Sequence, residues 1–300
     1  MPHDVKSAAP YRQVMSTPTE RPRMVVGVDE SRASRVAVGW AAHDAVMRNV
    51  ALTLVHVANG DVVPWPRALP SGFGEWQQTR GRRFLAEATG VAEQAMGGIG
   101  SVDVSTEMYY SATVPTLVDL SKGAEMIVVG SRGHGAIGSL LGSVSASLVQ
   151  HARCPVAVVH DEIPLAPHPA HAPVLVGVDG SPASERATAI AFDEASRRQV
   201  DLIALHAWSE AGVLDFPGFD WSSIKLAEDE VVAERLAGWQ ERYPDVKVHR
   251  LSSAIIRLVR SSSTRKRRSW LSSAAMGWEA SPACCWVPSA RRWFRRPARR

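Results

Sequence analysis

MIVVGSRGHGAIGSLLGSVSASLV, residues 126–149, is the segment that says most about the architecture of this protein. An apolar run ends at Gly130, glycine recurs at Gly133 and Gly142, and an apolar stretch of helical period follows Ser143. Glycines allow backbone N–H groups to approach phosphate oxygens closely, and serines at a helix N-terminus favour an anion. The stretch therefore predicts a strand, a phosphate-binding loop and a helix. A lone GxxG could equally be a flexible surface turn, so its context decides.

The chain on either side of this stretch contains an internal repeat with an offset of 150 residues. Val26-Gly27-Val28-Asp29 recurs as Val176-Gly177-Val178-Asp179, and His56 recurs as His206. Apolar runs alternate with stretches of helical period, which predicts a parallel sheet with ligands at the carboxyl ends of its strands. In the first copy the pattern predicts strands near 24–29, 51–57, 103–110, 126–130 and 155–159, and helices near 33–48, 75–97, 113–122 and 143–152.

Together these motifs resemble the universal stress protein family, whose ATP-binding signature is G-x2-G-x9-G-[ST]. The matching features are Gly130, Gly133 and Gly142-Ser143, the VGVD start, and the strand that begins near Cys154. The resemblance implies an α/β fold of two tandem, doubly wound, parallel five-stranded sheets of the Rossmann-like, adenine nucleotide alpha hydrolase-like type. One departure is that eight residues, not nine, separate Gly133 from Gly142.

Carried over by position, the resemblance implies a site for ATP, with Mg²⁺, in the first domain. Asp29 would contact the ribose or the metal-phosphate side, and Val57 would pack on adenine. The expected binding residues are Gly27, Asp29, Val57, Gly130, Ser131, Arg132, Gly133, Gly142, Ser143, Val144 and Ser145. Asp29 has an alternative role as a turn or N-cap residue before Ser31. No catalytic residue and no metal-ligating side chain is predicted.

Other conspicuous side chains receive structural interpretations. His56 is read as a core histidine at a strand end. Trp65 and Trp76 flank a Pro/Gly-containing segment and are interpreted as lid or dimer packing, with base stacking as the alternative. Cys284 and Cys285 are adjacent, but no further Cys or His lies at metal-ligand spacing.

Five segments are predicted along the chain: a disordered N-terminal segment (1–22), a nucleotide-binding domain (23–162), a Pro-rich linker (163–173), a truncated second domain (174–250), and a tail rich in Arg, Ser and Trp (251–300). The second phosphate loop is expected near residue 280, but the written sequence has none there. Codons read one base earlier give Gly-x-Gly and then Leu-Leu-Gly in this region, which predicts a reading-frame slip near 250–253.

Charge and composition limit the classes of partner and the compartment that we expect for this protein. Eleven arginines and one lysine against the single acid Glu279 give the tail +11, which leaves −7 for residues 1–250. Nucleic-acid binding, if present, would therefore belong to the tail alone, and we do not expect it. No segment resembles a signal peptide or membrane span, and the cysteines suggest a reducing compartment, so a cytoplasmic location is expected. The resemblance also implies a homodimer.

Two functions are open from the sequence. The first is an ATP-binding, stress-responsive regulator with slow or no hydrolysis. The second is an interaction scaffold of the same fold that binds no nucleotide, which the short loop would favour. A P-loop kinase is not expected, because G-x4-GK[ST] is missing and no lysine follows the glycines.

Overall fold

The structure, a computed structural model, describes residues 11–14, 22–59, 71–131, 141–160, 172–209 and 221–255. The chain falls into two compact units, divided after His168, which we call domain 1 and domain 2. The elements of domain 1 are β1 (Tyr11–Val14), β2 (Arg23–Gly27), α1 (Arg32–Arg48), β3 (Ala51–Asn59), α2 (Phe73–Met96), β4 (Val104–Ser111), α3 (Thr113–Leu120), β5 (Met126–Gly130), α4 (Ser143–His151) and β6 (Val156–Val159).

The strands of domain 1 form one sheet with the order β1-β4-β3-β2-β5-β6. Strands β2 to β6 are parallel. The order reverses at β2, which lies between β3 and β5, so the connecting helices pass over both faces of the sheet. The predicted five-stranded, doubly wound parallel sheet is confirmed, and every predicted strand and helix of this domain is present within about two residues.

Strand β1 adds a sixth strand that the sequence did not predict. Residues Tyr11–Val14 pair antiparallel with β4, in a register that places Tyr11 opposite Tyr110 and Val14 opposite Glu107. The prediction of a disordered segment over 1–22 therefore differs from the structure at residues 11–14. Without β1, β4 would be an edge strand, whose free N–H and C=O groups can pair with any extended segment whatever its side chains. The side-chain pattern consequently carried no signal for this pairing.

Helix α1 shows why the predicted boundaries hold. Its N-cap is Ser31, whose hydroxyl accepts a hydrogen bond from the Ser34 N–H, and its C-cap is Asn49 in the left-handed region, with φ of 53°. Both residue types suit these backbone positions. The helix is buried over most of its length, with Trp40 and the alanines around it in the core.

Domain 2 consists of β7 (Val174–Gly177), α5 (Pro182–Arg198), β8 (Leu202–Ser209), α6 (Trp221–Arg242) and β9 (Val248–Ile255). Its described strands form a parallel sheet with the order β7-β8-β9. One face of this sheet is covered by a core in which Phe192 of α5 stacks on Trp239 and Tyr243. The domain is incomplete, as expected from the sequence, because within the described residues no strand pairs with the other edge of β7.

The boundary of domain 2 lies further along the chain than predicted. Strand β9 continues from Leu251 to Ile255, paired in parallel with β8, whereas the sequence predicts an out-of-frame tail from residue 251. The strand continues because register with β8 is fixed by backbone hydrogen bonds, which a change in side-chain pattern does not interrupt.

Two predicted segments fall outside the described residues. These are almost the whole linker, 163–173, and the tail beyond Ile255. Within the part of the chain that the structure describes, no helix is long and apolar enough to cross a membrane.

Candidate functional site

The first half of the candidate site is the turn that joins β2 to α1. Asp29 Oδ1 accepts a hydrogen bond from the Ser31 N–H at 2.9 Å, and the Asp29 N–H donates to the Ser34 hydroxyl at 3.0 Å. Asp29 therefore has the turn-forming role that the sequence offered as an alternative. It is half-buried at the carboxyl end of β2. Its other carboxylate oxygen has no hydrogen-bond partner among the described residues, so it can still accept one from a ligand.

The second half lies where β5 leads towards α4. The Ser131 N–H donates to the Val159 carbonyl at 2.7 Å, and the Ser131 carbonyl accepts from the Gly142 N–H at 2.7 Å. The Ser145 hydroxyl lies 3.0 Å from the same Ser131 carbonyl and 3.1 Å from the Gly142 carbonyl. These bonds hold together the two ends of the glycine-rich segment. The hydroxyl hydrogen of Ser145 is thus used in closing that segment.

Hydrogen-bonding groups without a side-chain partner lie together at the start of α4. Gly142 is the N-cap of α4 and supplies no side-chain hydrogen bond to the N–H groups of the first turn. Such N–H groups carry about half a positive charge at a helix N-terminus. The Ser131 side chain is fully buried, and its Oγ has no partner within the described part of the chain. Ser143, the first residue of α4, is exposed. The combination favours an anion.

Gly130 brings the two halves of the site into contact. A Cβ atom added there would lie 2.8 Å from the carbonyl carbon and Cβ of Ala33, and 2.9 Å from the Ser34 nitrogen. Only glycine allows the end of β5 to approach the first turn of α1 this closely. Gly130 therefore has a packing role, in addition to the phosphate-binding role that the sequence suggested.

The apolar members of the predicted site line one side of the sheet. Val57 and Val144 both pack against the core cluster that includes Val55 and Leu148, and both remain partly exposed. Gly27, at the end of β2, would bring a Cβ to 3.1 Å from Val129, so it also gives close packing. Val57 is thus available for an apolar contact near the carboxyl ends of the strands.

His56 joins the ends of two strands. Its Nδ1 lies 2.8 Å from the Val28 carbonyl, and its ring lies edge-on to Phe84. Burial lowers the pKa of His56, while the bond to Val28 opposes that shift. A neutral ring that donates from Nδ1 fits these contacts. The structural interpretation of His56 agrees with this position.

Sequence reasoning missed a polar cluster next to the Asp29 turn. Arg80 of α2 forms an ion pair with Glu30 at 2.5 Å, and its guanidinium also lies over the rings of Trp76 and Phe84. The available signal was the spacing of these three α2 residues, which are four apart and therefore share one helix face. Trp76 remains 53% exposed.

Five of the residues named in the sequence analysis lie outside the described residues: Arg132, Gly133, Trp65, Cys284 and Cys285. Of the eleven predicted binding residues, the structure thus describes nine. It brings together Asp29, Gly130, Ser131 and the start of α4, at the carboxyl ends of the two adjacent strands β2 and β5. This is the edge at which parallel sheets of this type bind ligands.

The family model of the Universal stress protein family matches residues 20–160 and again residues 171–258. The chain belongs to this family. Universal stress protein Rv2005c of Mycobacterium tuberculosis is 53% identical over 239 residues, which cover 79% of this chain and 81% of that protein. Universal stress protein Rv2623 of the same organism is 54% identical over 230 residues, covering 76% of this chain and 77% of that protein.

A solved structure of a universal stress protein from Archaeoglobus fulgidus DSM 4304 has the same fold. Its TM-score is 0.57 at 19% identity, and the match covers 79% of this chain and 77% of that one. The predicted family and its tandem organisation are therefore confirmed. In the universal stress protein described here, no group of three or more His, Cys, Asp or Glu within the described ranges could hold a metal ion.

Proposed function

We propose that this universal stress protein binds ATP, with Mg²⁺, in domain 1 and acts as a regulator with slow or no hydrolysis. One observation carries the proposal: the uncapped N-terminus of α4 lies beside the buried, unpartnered Ser131 hydroxyl at the carboxyl end of β5. A phosphate group would satisfy both, because its oxygens accept hydrogen bonds and its charge suits the helix dipole.

Each residue would have a distinct task. The N–H groups of Ser143, Val144 and Ser145 and the Ser131 hydroxyl would hold phosphate oxygens. Asp29 would face the ribose or the magnesium ion with its free carboxylate oxygen. Val57 would contact the adenine ring. Arg132 and Gly133, named from the sequence, belong to the same proposal.

Replacing Ser143 with Asp tests the anion site. Ser143 is exposed at the first position of α4, so a carboxylate there stabilises the helix by about 0.3–1 kcal/mol through the dipole. The same carboxylate repels a phosphate group. We therefore expect higher thermal stability together with at least tenfold weaker ATP binding, measured by calorimetry on the full chain.

The matched control is Ser147→Asp, which introduces the same charge one turn further along α4. It should reduce ATP affinity much less, because a charge beyond the first turn is further from the bound phosphates. Gly130→Ala is unsuitable as a control, since it would clash with the backbone of α1. If Ser143→Asp leaves ATP binding unchanged, the site is not at this helix.

The alternative function is a scaffold of the same fold that binds no nucleotide. The eight-residue spacing between Gly133 and Gly142 favours it, because a shorter segment leaves less room for phosphates. Absence of ATP binding at millimolar concentration would select this alternative. The homodimer and the cytoplasmic location remain predictions from the resemblance and the composition, and light scattering of the purified chain tests the first.

A further inference from the structure

Domain 2 exposes an apolar face of its sheet, whereas the equivalent face of the domain 1 sheet is buried within domain 1. Val25 of β2 is fully buried, whereas its counterpart Leu175 of β7 is 49% exposed. In domain 1, this face is covered by the cluster that includes Leu117 of α3, Ile127 of β5 and Leu148 of α4. Within the described residues, domain 2 therefore lacks counterparts of the elements that follow β4 in domain 1.

Strand register gives the positions at which those counterparts should be encoded. Leu52 lies opposite Val104 in domain 1, and Leu202 lies opposite Val248 in domain 2. The offset between the domains is thus 150 residues at β8 but 144 residues at β9. Beyond β9, a residue of domain 1 should have its counterpart about 144 positions later, which for Gly142 is residue 286.

The genetic code allows this position to be checked without the gene. A codon read one base earlier consists of the last base of one written codon and the first two bases of the next. Trp ends in G and Val begins with GT, so the junction Trp286/Val287 must encode glycine. Insertion of one base upstream makes this junction residue 287 of the restored chain, 145 positions after Gly142 and one beyond the position that the strand register gives.

The neighbouring junctions extend the match. Cys284/Cys285 and Cys285/Trp286 must each encode leucine, because Cys codons end in T or C and the next codon begins with TG. In the restored chain these are residues 285 and 286, the counterparts of Leu140 and Leu141 at the same offset of 145 residues. Trp293/Phe294 must likewise encode valine, and its counterpart is Val149.

Two further junctions have a single translation. Met276/Gly277 and Trp278/Glu279 must both encode glycine, as residues 277 and 279 of the restored chain, and with the offset of 144 given by the strand register they match Gly133 and Gly135. The change in offset from 144 to 145 means that the shifted segment is one residue longer than in domain 1. It then has nine residues between the glycines, where domain 1 has eight. All six of these junctions therefore agree with domain 1.

We infer that residues 256–300 are the shifted-frame translation of a second glycine-rich loop, with its flanking strands and helix, and that the chain as written has lost a second nucleotide site. The nucleotide part of this inference rests on the proposed function. One missing base within or shortly after β9 accounts for the change, because insertion of one base restores the earlier frame. The family match supports the inference, since it ends at residue 258 in domain 2.

Sequencing the coding DNA tests the frame directly. Read one base earlier, the DNA that encodes residues 271–300 should contain no stop codon. It should encode Val-Val-Gly before the first loop glycine and Ser-Val-Ser after the last. A stop codon before the Trp293/Phe294 junction, or unrelated residues at the ambiguous junctions, would overturn the inference.

Expression of both chains then tests the site. The chain with one inserted base should bind two ATP molecules, and the chain as written should bind one, by equilibrium dialysis with radiolabelled ATP. The restored chain should also bind less of a hydrophobic dye, because the Leu175 face is covered. One ATP on both chains would overturn the second site but keep the proposed function, whereas no ATP on either would reject the proposed function. Unchanged dye binding would overturn the structural part.

Discussion

Domains 1 and 2 begin identically and then differ, and the difference separates local from tertiary control of structure. The Ser31–Ser34 cap bond is 3.1 Å long, and so is the Ser181–Ser184 bond. In the preceding turn, the serine N–H donates a hydrogen bond to the aspartate Oδ1 at 2.9 Å in both domains. A turn of this kind therefore forms from a few neighbouring residues, whether or not the sheet beyond it is complete.

Burial behaves differently from turn geometry. Val26 and its counterpart Val176 are both buried, because helices cover that face in each domain. On the opposite face, Val25 is buried but Leu175 is exposed. The same strand pattern thus gives a core in one domain and a surface in the other. Whether an apolar residue contributes to stability depends on elements encoded far away in the sequence.

The largest expected effect on stability comes from replacing the buried Glu107 of domain 1 with leucine, the residue type at the equivalent position of domain 2. Glu107 is 2% exposed, and its carboxylate accepts hydrogen bonds from Arg23 at 2.8 Å and from the Tyr109 hydroxyl at 2.5 Å. Domain 2 has Leu251 at this register position. Glu107→Leu should destabilise domain 1 by about 3–5 kcal/mol, because the Arg23 charge loses its buried partner.

Hydrogen–deuterium exchange with mass spectrometry measures this loss separately in each domain. The matched control is Leu251→Glu, which should change stability by about 0.5 kcal/mol or less because Leu251 is 48% exposed. Equal effects of the two substitutions would show that the two domains do not differ at this position as the structure indicates.

A second pair of substitutions measures the covered and uncovered faces directly. Val25→Ala should destabilise domain 1 by about 2 kcal/mol, since Val25 is fully buried. Leu175→Ala should cost domain 2 about 1 kcal/mol or less, although it removes more carbon atoms. Urea unfolding followed by exchange in each domain gives both values. The reverse order would mean that the Leu175 face is covered in solution.

The smallest difference between the two domains is expected at their helix N-caps. Ser31→Ala and Ser181→Ala each remove an N-cap hydroxyl, at an expected cost of about 1 kcal/mol. The two losses should agree within about 0.3 kcal/mol, because the cap geometry is shared. A clearly larger loss in domain 2 would show that its helix depends on the cap more strongly when the sheet is incomplete.

The sequence predicted the elements of domain 1 well because their signals are local. Val-rich runs, the Ser31 cap and the left-handed Asn49 all act within a few residues. The pattern also predicted that Asp29 and the segment around Gly130 share one edge of the sheet. It did not predict β1, the Glu30–Arg80 pair, or the extension of β9 to Ile255. These depend on pairing or contact between distant segments.

Residue types and their spacing are enough to predict the two-domain α/β fold, the phosphate-loop pattern and the shifted-frame signal. Three features are visible only in the folded chain: Gly130 packs on α1, the Ser145 hydroxyl bonds to the Ser131 carbonyl, and Leu175 is uncovered. The physical reason is that spacing fixes the backbone locally, whereas burial and hydrogen-bond partners are set by which distant segments come to lie next to each other.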